Sequence, residues 1–122
     1  MQQAIKNYLN MLKRKGNNML VLPIKKKWFD MIKSGEKKEE YREIKPYWTK
    51  RFCHALYDLE LGNSSKTLYN GQGTVIFQNG YQKNAPRIKC DIRLKQGYGF
   101  VDWGAAPFKT YYVLEILNVE AL

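Results

Sequence analysis

A chain of 122 residues holds one domain with a single core and is too short for two. Its 44% hydrophobic content excludes a disordered chain, and its longest apolar runs are only a few residues, such as Met19–Leu22 and Tyr111–Leu114, so no segment is expected to span a bilayer. The net charge of +10 is uneven: residues 1–18 carry +4, residues 19–52 carry +5 and the remainder +1, an asymmetry expected of a chain that meets a polyanion.

Met1–Lys15 lacks the continuous apolar stretch and small-residue cleavage site of a signal peptide, so a cytoplasmic location without a membrane partner is expected. Two cysteines, Cys53 and Cys90, make no disulfide framework and read as reduced thiols. With His54 they are too few for zinc, and adjacent Cys-His lacks ligand spacing. No metal and no cofactor is expected, and a His-based triad would hang on His54 alone.

In residues 1–18, Ile5, Tyr8, Leu9 and Leu12 recur at helical spacing before Gly16-Asn17-Asn18. This predicts a basic amphipathic helix that forms an extension, with the domain proper over residues 19–122. Met19–Ile24 reads as a short strand, and Pro23 places it at an edge or strand end. Lys26–Ser34 reads as a helix with Trp28, Phe29 and Ile32 on its apolar face, and Gly35 stands where a left-handed C-cap is wanted. Lys37–Ile44 reads as a charged strand broken by Pro46.

Residues 47–60 are aromatic-rich and predict a short helix or an ordered crossing segment, and Leu61–Gln72 a loop. Gly73–Gln78 is a strand closed by the hairpin signal Asn79-Gly80. Arg87–Leu94 alternates, with Ile88, Cys90, Ile92 and Leu94 on one face and Arg87, Lys89, Asp91 and Arg93 on the other. A turn-rich stretch bracketed by Gly97-Tyr98-Gly99 and Trp103-Gly104 precedes a last strand over Tyr111–Val119. Short strands, few helices and many glycine turns predict a mainly β, α+β domain built on a small, strongly curved sheet or barrel.

Residues 35–42 fit the spacing G-x-K-x-x-E-x-R through Gly35, Lys37, Glu40 and Arg42. A chain of this length shows that spacing by chance roughly two times in a thousand, so it is read as a unit. On one strand Glu40 and Arg42 share a face, with Glu39, Tyr41 and Glu43 opposite. Lys37 has the wrong parity and joins them only if the chain turns or bulges just after Gly35. The converged trio could bind, with Arg42 and Lys37 gripping a phosphate and Glu40 orienting the arginine. It could also catalyse, with Glu40 as general base and Lys37 or Arg42 steadying developing charge. The bland alternative is a surface ion pair. Lys25, Lys26, Lys27, Lys45, Lys50 and Arg51 surround the motif, interleaved with Trp28, Tyr41, Tyr47 and Trp48, a mixture suited to single-stranded nucleic acid. Tyr47, Trp48 and Tyr81 are the candidate base-stackers, and Trp28 and Phe29 read as core.

With Leu22-Pro23-Ile24-Lys25, the helix Trp28–Gly35, the four-residue motif, Phe77–Tyr81 and Tyr111–Leu114, the chain over residues 19–119 resembles the ASCH domain of the PUA-like superfamily, in its phage and bacterial branch. The resemblance implies a PUA-like β-barrel whose cleft is lined by the motif, and RNA, single-stranded nucleic acid or a nucleotide-like molecule as partner. Some relatives are amidohydrolases of acetylcytidine with a threonine nucleophile where this chain has Glu40, and others resemble ribonucleases. The resulting candidate site comprises Lys25, Lys37, Glu40, Arg42, Tyr47, Trp48, Lys50 and Tyr81 for binding, with Lys37 and Glu40 as the catalytic pair if a reaction occurs. A protein-interaction module using residues 1–12 is a third reading.

Overall fold

A computed structural model describes residues 19–56 and 71–122. The expected N-terminal helix, the end of the aromatic-rich segment at 57–60 and the loop to residue 70 lie outside them. Among the described residues five strands and two helices follow in the order β1 (Val21–Ile24), α1 (Lys26–Ser34), β2 (Glu39–Arg42), α2 (Pro46–Leu56), β3 (Gln72–Asn79), β4 (Arg87–Tyr98) and β5 (Thr110–Ala121), with a 3-10 turn at Val101–Trp103 before β5. The sheet is curled into a half-barrel of order β1-β3-β4-β5-β2, a small α+β fold. Among the described strands only β1 and β3 pair in parallel. No helix among the described residues is long and apolar enough to cross a membrane.

The elements follow local chemistry. β1 is an edge strand, which tolerates Pro23 because its missing N–H faces away from any ladder. α1 ends at Gly35, whose φ of +87° is the left-handed cap, its N–H donating to the Ile32 carbonyl. In β4 the alternation holds, with Ile88, Cys90 and Ile92 buried between exposed Arg87, Asp91 and Arg93. These residues join Leu22, Ile24, Phe29, Ile32, Phe52, Leu56, Val75, Phe77, Tyr112 and Leu114 in the main core, which both helices cover. A second, smaller cluster of Tyr41, Ala105, Tyr111 and Val113 lies on the other face, under Trp103.

β4 and β5 slip register between Asp91 and Ile92, which pair with Asn118 and Ile116 and leave Leu117 as the extra residue. The bulge keeps Ile116 and Val119 both packed against the main core, where an unbroken two-residue period would send one of them outward. It also adds local bend and twist to the curled sheet.

Five elements differ from expectation. The charged strand is only Glu39–Arg42, because Ile44 and Lys45 bend ahead of Pro46, which opens α2. Asn79-Gly80 does not form a two-residue hairpin: the Gly80 N–H donates to the carbonyls of Ile24 and Gln78, and β4 starts only at Arg87. β4 runs through Gly97 and Tyr98, which pair with Tyr111 and Thr110, so the turn begins later than the glycines suggest. The first strand starts at Val21 and the last extends over Thr110–Ala121.

Gly35→Ala tests the cap in isolation, because an added Cβ would meet only the Lys38 Nζ at an ordinary 3.6 Å. The expected cost is about 1–2 kcal/mol of left-handed backbone strain, read as a lower urea midpoint with an unchanged slope.

Candidate functional site

The motif converges, and it does so under cover. Glu40 and Arg42 share the core face of edge strand β2, where their partners on β5 are Leu114 and Tyr112. Glu39 and Tyr41 face the other way, and the Tyr41 hydroxyl donates to Glu39 Oε1 at 2.9 Å. Lys37 precedes the strand. Its N–H donates to the Met31 carbonyl, and this turn after Gly35 swings the side chain back over α1. Its Nζ lies 3.1 Å from Glu40 Oε1, and Arg42 Nη1 lies 2.5 Å from Glu40 Oε2. One carboxylate therefore bridges two cations.

The trio is neither a surface ion pair nor the open floor of a cleft. Side-chain exposure is 0% for Lys37, 7% for Glu40 and 14% for Arg42. The Lys37 ammonium also donates to the Trp103 carbonyl, and the rings of Trp28 and Tyr41 lie 4.7 and 4.9 Å from it. Two oxygens and two aromatic faces thus replace its water. Gly104 makes this closure possible: its φ of +104° reverses the chain after Trp103, and an added Cβ would come within 3.1 Å of the Trp28 ring.

The segment after β4 is fastened at two further points. The Phe100 N–H donates to the Tyr41 hydroxyl, and the Ala106 N–H to the Tyr111 hydroxyl, each at 2.9 Å. Desolvation lowers the Lys37 pKa, Glu40 opposes that shift, and Arg42 adds to it. Burial raises the Tyr41 hydroxyl pKa.

Arg42 is the outward end of the trio. Its Nη1 is held by Glu40 and by the Tyr41 carbonyl at 2.8 Å, and its guanidinium lies 5.2 Å from the Trp48 ring. Arg51, one helical turn beyond Trp48, places its own guanidinium 5.8 Å from that indole and 5.3 Å from Tyr47. The Arg51 Nε is buried and has no hydrogen-bond partner among the described residues.

Of the other candidates, Tyr47 is 57% exposed at the start of α2, whereas Trp48 is half-buried and stacks on Phe52 at 5.6 Å. Lys25 and Lys50 are exposed and make no side-chain hydrogen bond or ion pair among the described residues. Tyr81 is 88% exposed but stands apart. It follows the β3 end that pairs with Arg87, while the Arg42 row meets β4 at Gln96, nine residues or about 30 Å of strand away. Lys37 and Glu40, the catalytic pair, are together, but a substrate reaches Lys37 only if the Trp103 segment moves. Trp28 lines the site from a half-buried position as well as packing on the core.

Four contributors were not singled out from the sequence. The Trp103 carbonyl is a backbone group 66 residues from Lys37. Arg51 stood among the surrounding cations, and its i, i+3 spacing from Trp48 was the signal that could have singled it out. Thr49 and Tyr112, whose hydroxyls pair across α2 and β5, also went unmarked. Beside them lies a hollow of about 390 Å³ lined by Thr49, Phe52, Cys53, Leu94, Lys95, Gln96 and Tyr112. No group of three metal-ligating side chains occurs among the described residues.

Glu40→Gln leaves two cations facing each other beneath the Trp103 segment, and the expected loss is about 3–5 kcal/mol. Lys37→Met keeps the Glu40–Arg42 pair and should cost less. Equal losses in urea unfolding would contradict the bridging role of Glu40. The pH dependence has a defined sign. Because folded Lys37 holds its proton less tightly than the unfolded chain, the unfolded state binds more protons between the lowered value and 10.5. The Lys37 contribution to stability therefore rises with pH across that window, and Lys37→Met should lack the rise. Tyr41 acts oppositely and later, its raised value removing stability as pH climbs above 10.

Comparison with protein-family models, with curated proteins and with solved structures finds no match to this chain.

Proposed function

We propose that this chain is an ASCH-type, PUA-like domain that binds RNA, single-stranded nucleic acid or a nucleotide-like ligand, with Arg42, Trp48 and Arg51 as the contact surface. One observation carries the reading: a buried trio of two cations and one carboxylate keeps a net positive charge and directs it outward through Arg42, onto an indole shared with Arg51. A guanidinium can clamp phosphate oxygens with two parallel N–H groups, and the Arg51 Nε makes no hydrogen bond to any described residue. Tyr47 offers an exposed ring beside them for a base to stack on. Lys45 and Lys50 extend the positive surface along α2.

In this reading Lys37 and Glu40 hold Arg42 rather than touch the ligand. The sealed ammonium gives the catalytic alternative no support, and the threonine of related amidohydrolases has no counterpart at Glu40.

Fluorescence anisotropy with short single-stranded RNAs tests the proposal. Binding should weaken steeply with salt, and Arg51→Gln and Lys50→Gln should each lower affinity several-fold and reduce the salt slope by about one. No binding at low salt, or an affinity indifferent to salt and to Arg51→Gln, would remove the proposal.

A further inference from the structure

We infer that the hollow between α2 and the β4–β5 hairpin is the subsite for a nucleobase. The inference rests on the proposed nucleotide-binding role of Arg42 and assigns the other end of the same ligand. Its volume of about 390 Å³ lies within the range of about 300–1,000 Å³ of small-molecule sites.

Its walls are of two kinds. Phe52 and Leu94 are apolar, while Thr49, Tyr112, Cys53 and Gln96 bring hydroxyls, a thiol and a carboxamide. Among the described residues Lys95 is the one charged residue that borders the hollow. It pairs with Val113, so its side chain takes the opposite face of the sheet, where its Nζ lies 3.3 Å from Glu39 and 3.4 Å from Glu115. A neutral, planar heterocycle with donors and acceptors on its edge suits such a lining. The Gln96 carboxamide offers one donor and one acceptor in the plane needed for a base edge.

The register fixes the distance to the cations. Arg42, Tyr112 and Gln96 form one row across β2, β5 and β4, all on the core face. From Arg42 to Gln96 is two strand spacings, about 10 Å, within the length of one nucleotide. The Thr49–Tyr112 hydroxyl pair stands between. A nucleotide with its base in the hollow therefore passes over that pair and brings its phosphate to Arg42. Exposed bases gripped on their edges, with cations on the backbone, are the usual mode for single-stranded RNA.

Cys53 supplies the test, because it lines the hollow and is half-buried, whereas Cys90 is fully buried and its thiol is pushed up to about 12 by burial. Alkylation of the intact protein by iodoacetamide, located by mass spectrometry, should fall on Cys53. Adenosine, guanosine, cytidine or uridine 5′-monophosphate at saturation should slow it at least tenfold for one or more bases, and ribose 5-phosphate should not. Gln96→Leu, at an exposed strand position, should weaken the protecting nucleotide about tenfold.

Equal protection by ribose 5-phosphate, or protection unchanged in Gln96→Leu, would overturn the base subsite. Absence of protection by every nucleotide while RNA still binds with a steep salt dependence would overturn the subsite and leave the Arg42 surface standing. Absence of both would remove the two together.

Discussion

The buried ammonium of Lys37 is the constraint on which this architecture turns. A lysine with no exposed side-chain surface needs every proton on its nitrogen accounted for, since desolvating an unpaired charge costs several kcal/mol. Three separate parts of the chain meet that demand: Trp28 from α1, Glu40 and Tyr41 from β2, and the Trp103 carbonyl from the segment before β5. β2 has four residues and a single neighbour in the sheet, so its ladder alone fastens it weakly. The ammonium joins this edge strand to the helix before it and to the segment that closes the second cluster.

That arrangement divides the motif into an inner and an outer half. Lys37 and Glu40 look inward and are satisfied by the protein. Arg42 is held by Glu40 on one nitrogen and turns the rest of its guanidinium toward Trp48 and the surface. The carboxylate thus serves to aim a cation, a role for which buried charge is well suited because its geometry is strongly restrained. A ligand that meets Arg42 meets a group whose rotamer is already fixed, so less entropy is lost on binding.

Much of this was legible in the sequence where one local rule decided the outcome. Gly35 as a left-handed cap, Pro23 on an edge strand, the alternation of Ile88, Cys90 and Ile92, and the shared face of Glu40 and Arg42 all follow from backbone preference or side-chain period. The rest depends on contacts between distant segments. Lysine composition speaks for the surface, and nothing near Lys37 in the chain announces a backbone carbonyl at Trp103. The second half of β4, Lys95–Tyr98, carries no hydrophobic alternation because much of it is exposed, so its pairing with β5 was hidden behind two glycines. The hollow draws its walls from α2, β4 and β5, and no spacing within a single segment reports it.

The division of labour within the motif is tested most directly by side-chain NMR of the free protein and of its complex with a short single-stranded RNA. The account predicts a slowly exchanging Lys37 ammonium whose signal is the same in both, while the guanidinium signals of Arg42 and Arg51 shift on binding. A Lys37 ammonium that exchanges rapidly in the free protein and shifts with RNA, while the two arginines stay unmoved, would contradict it.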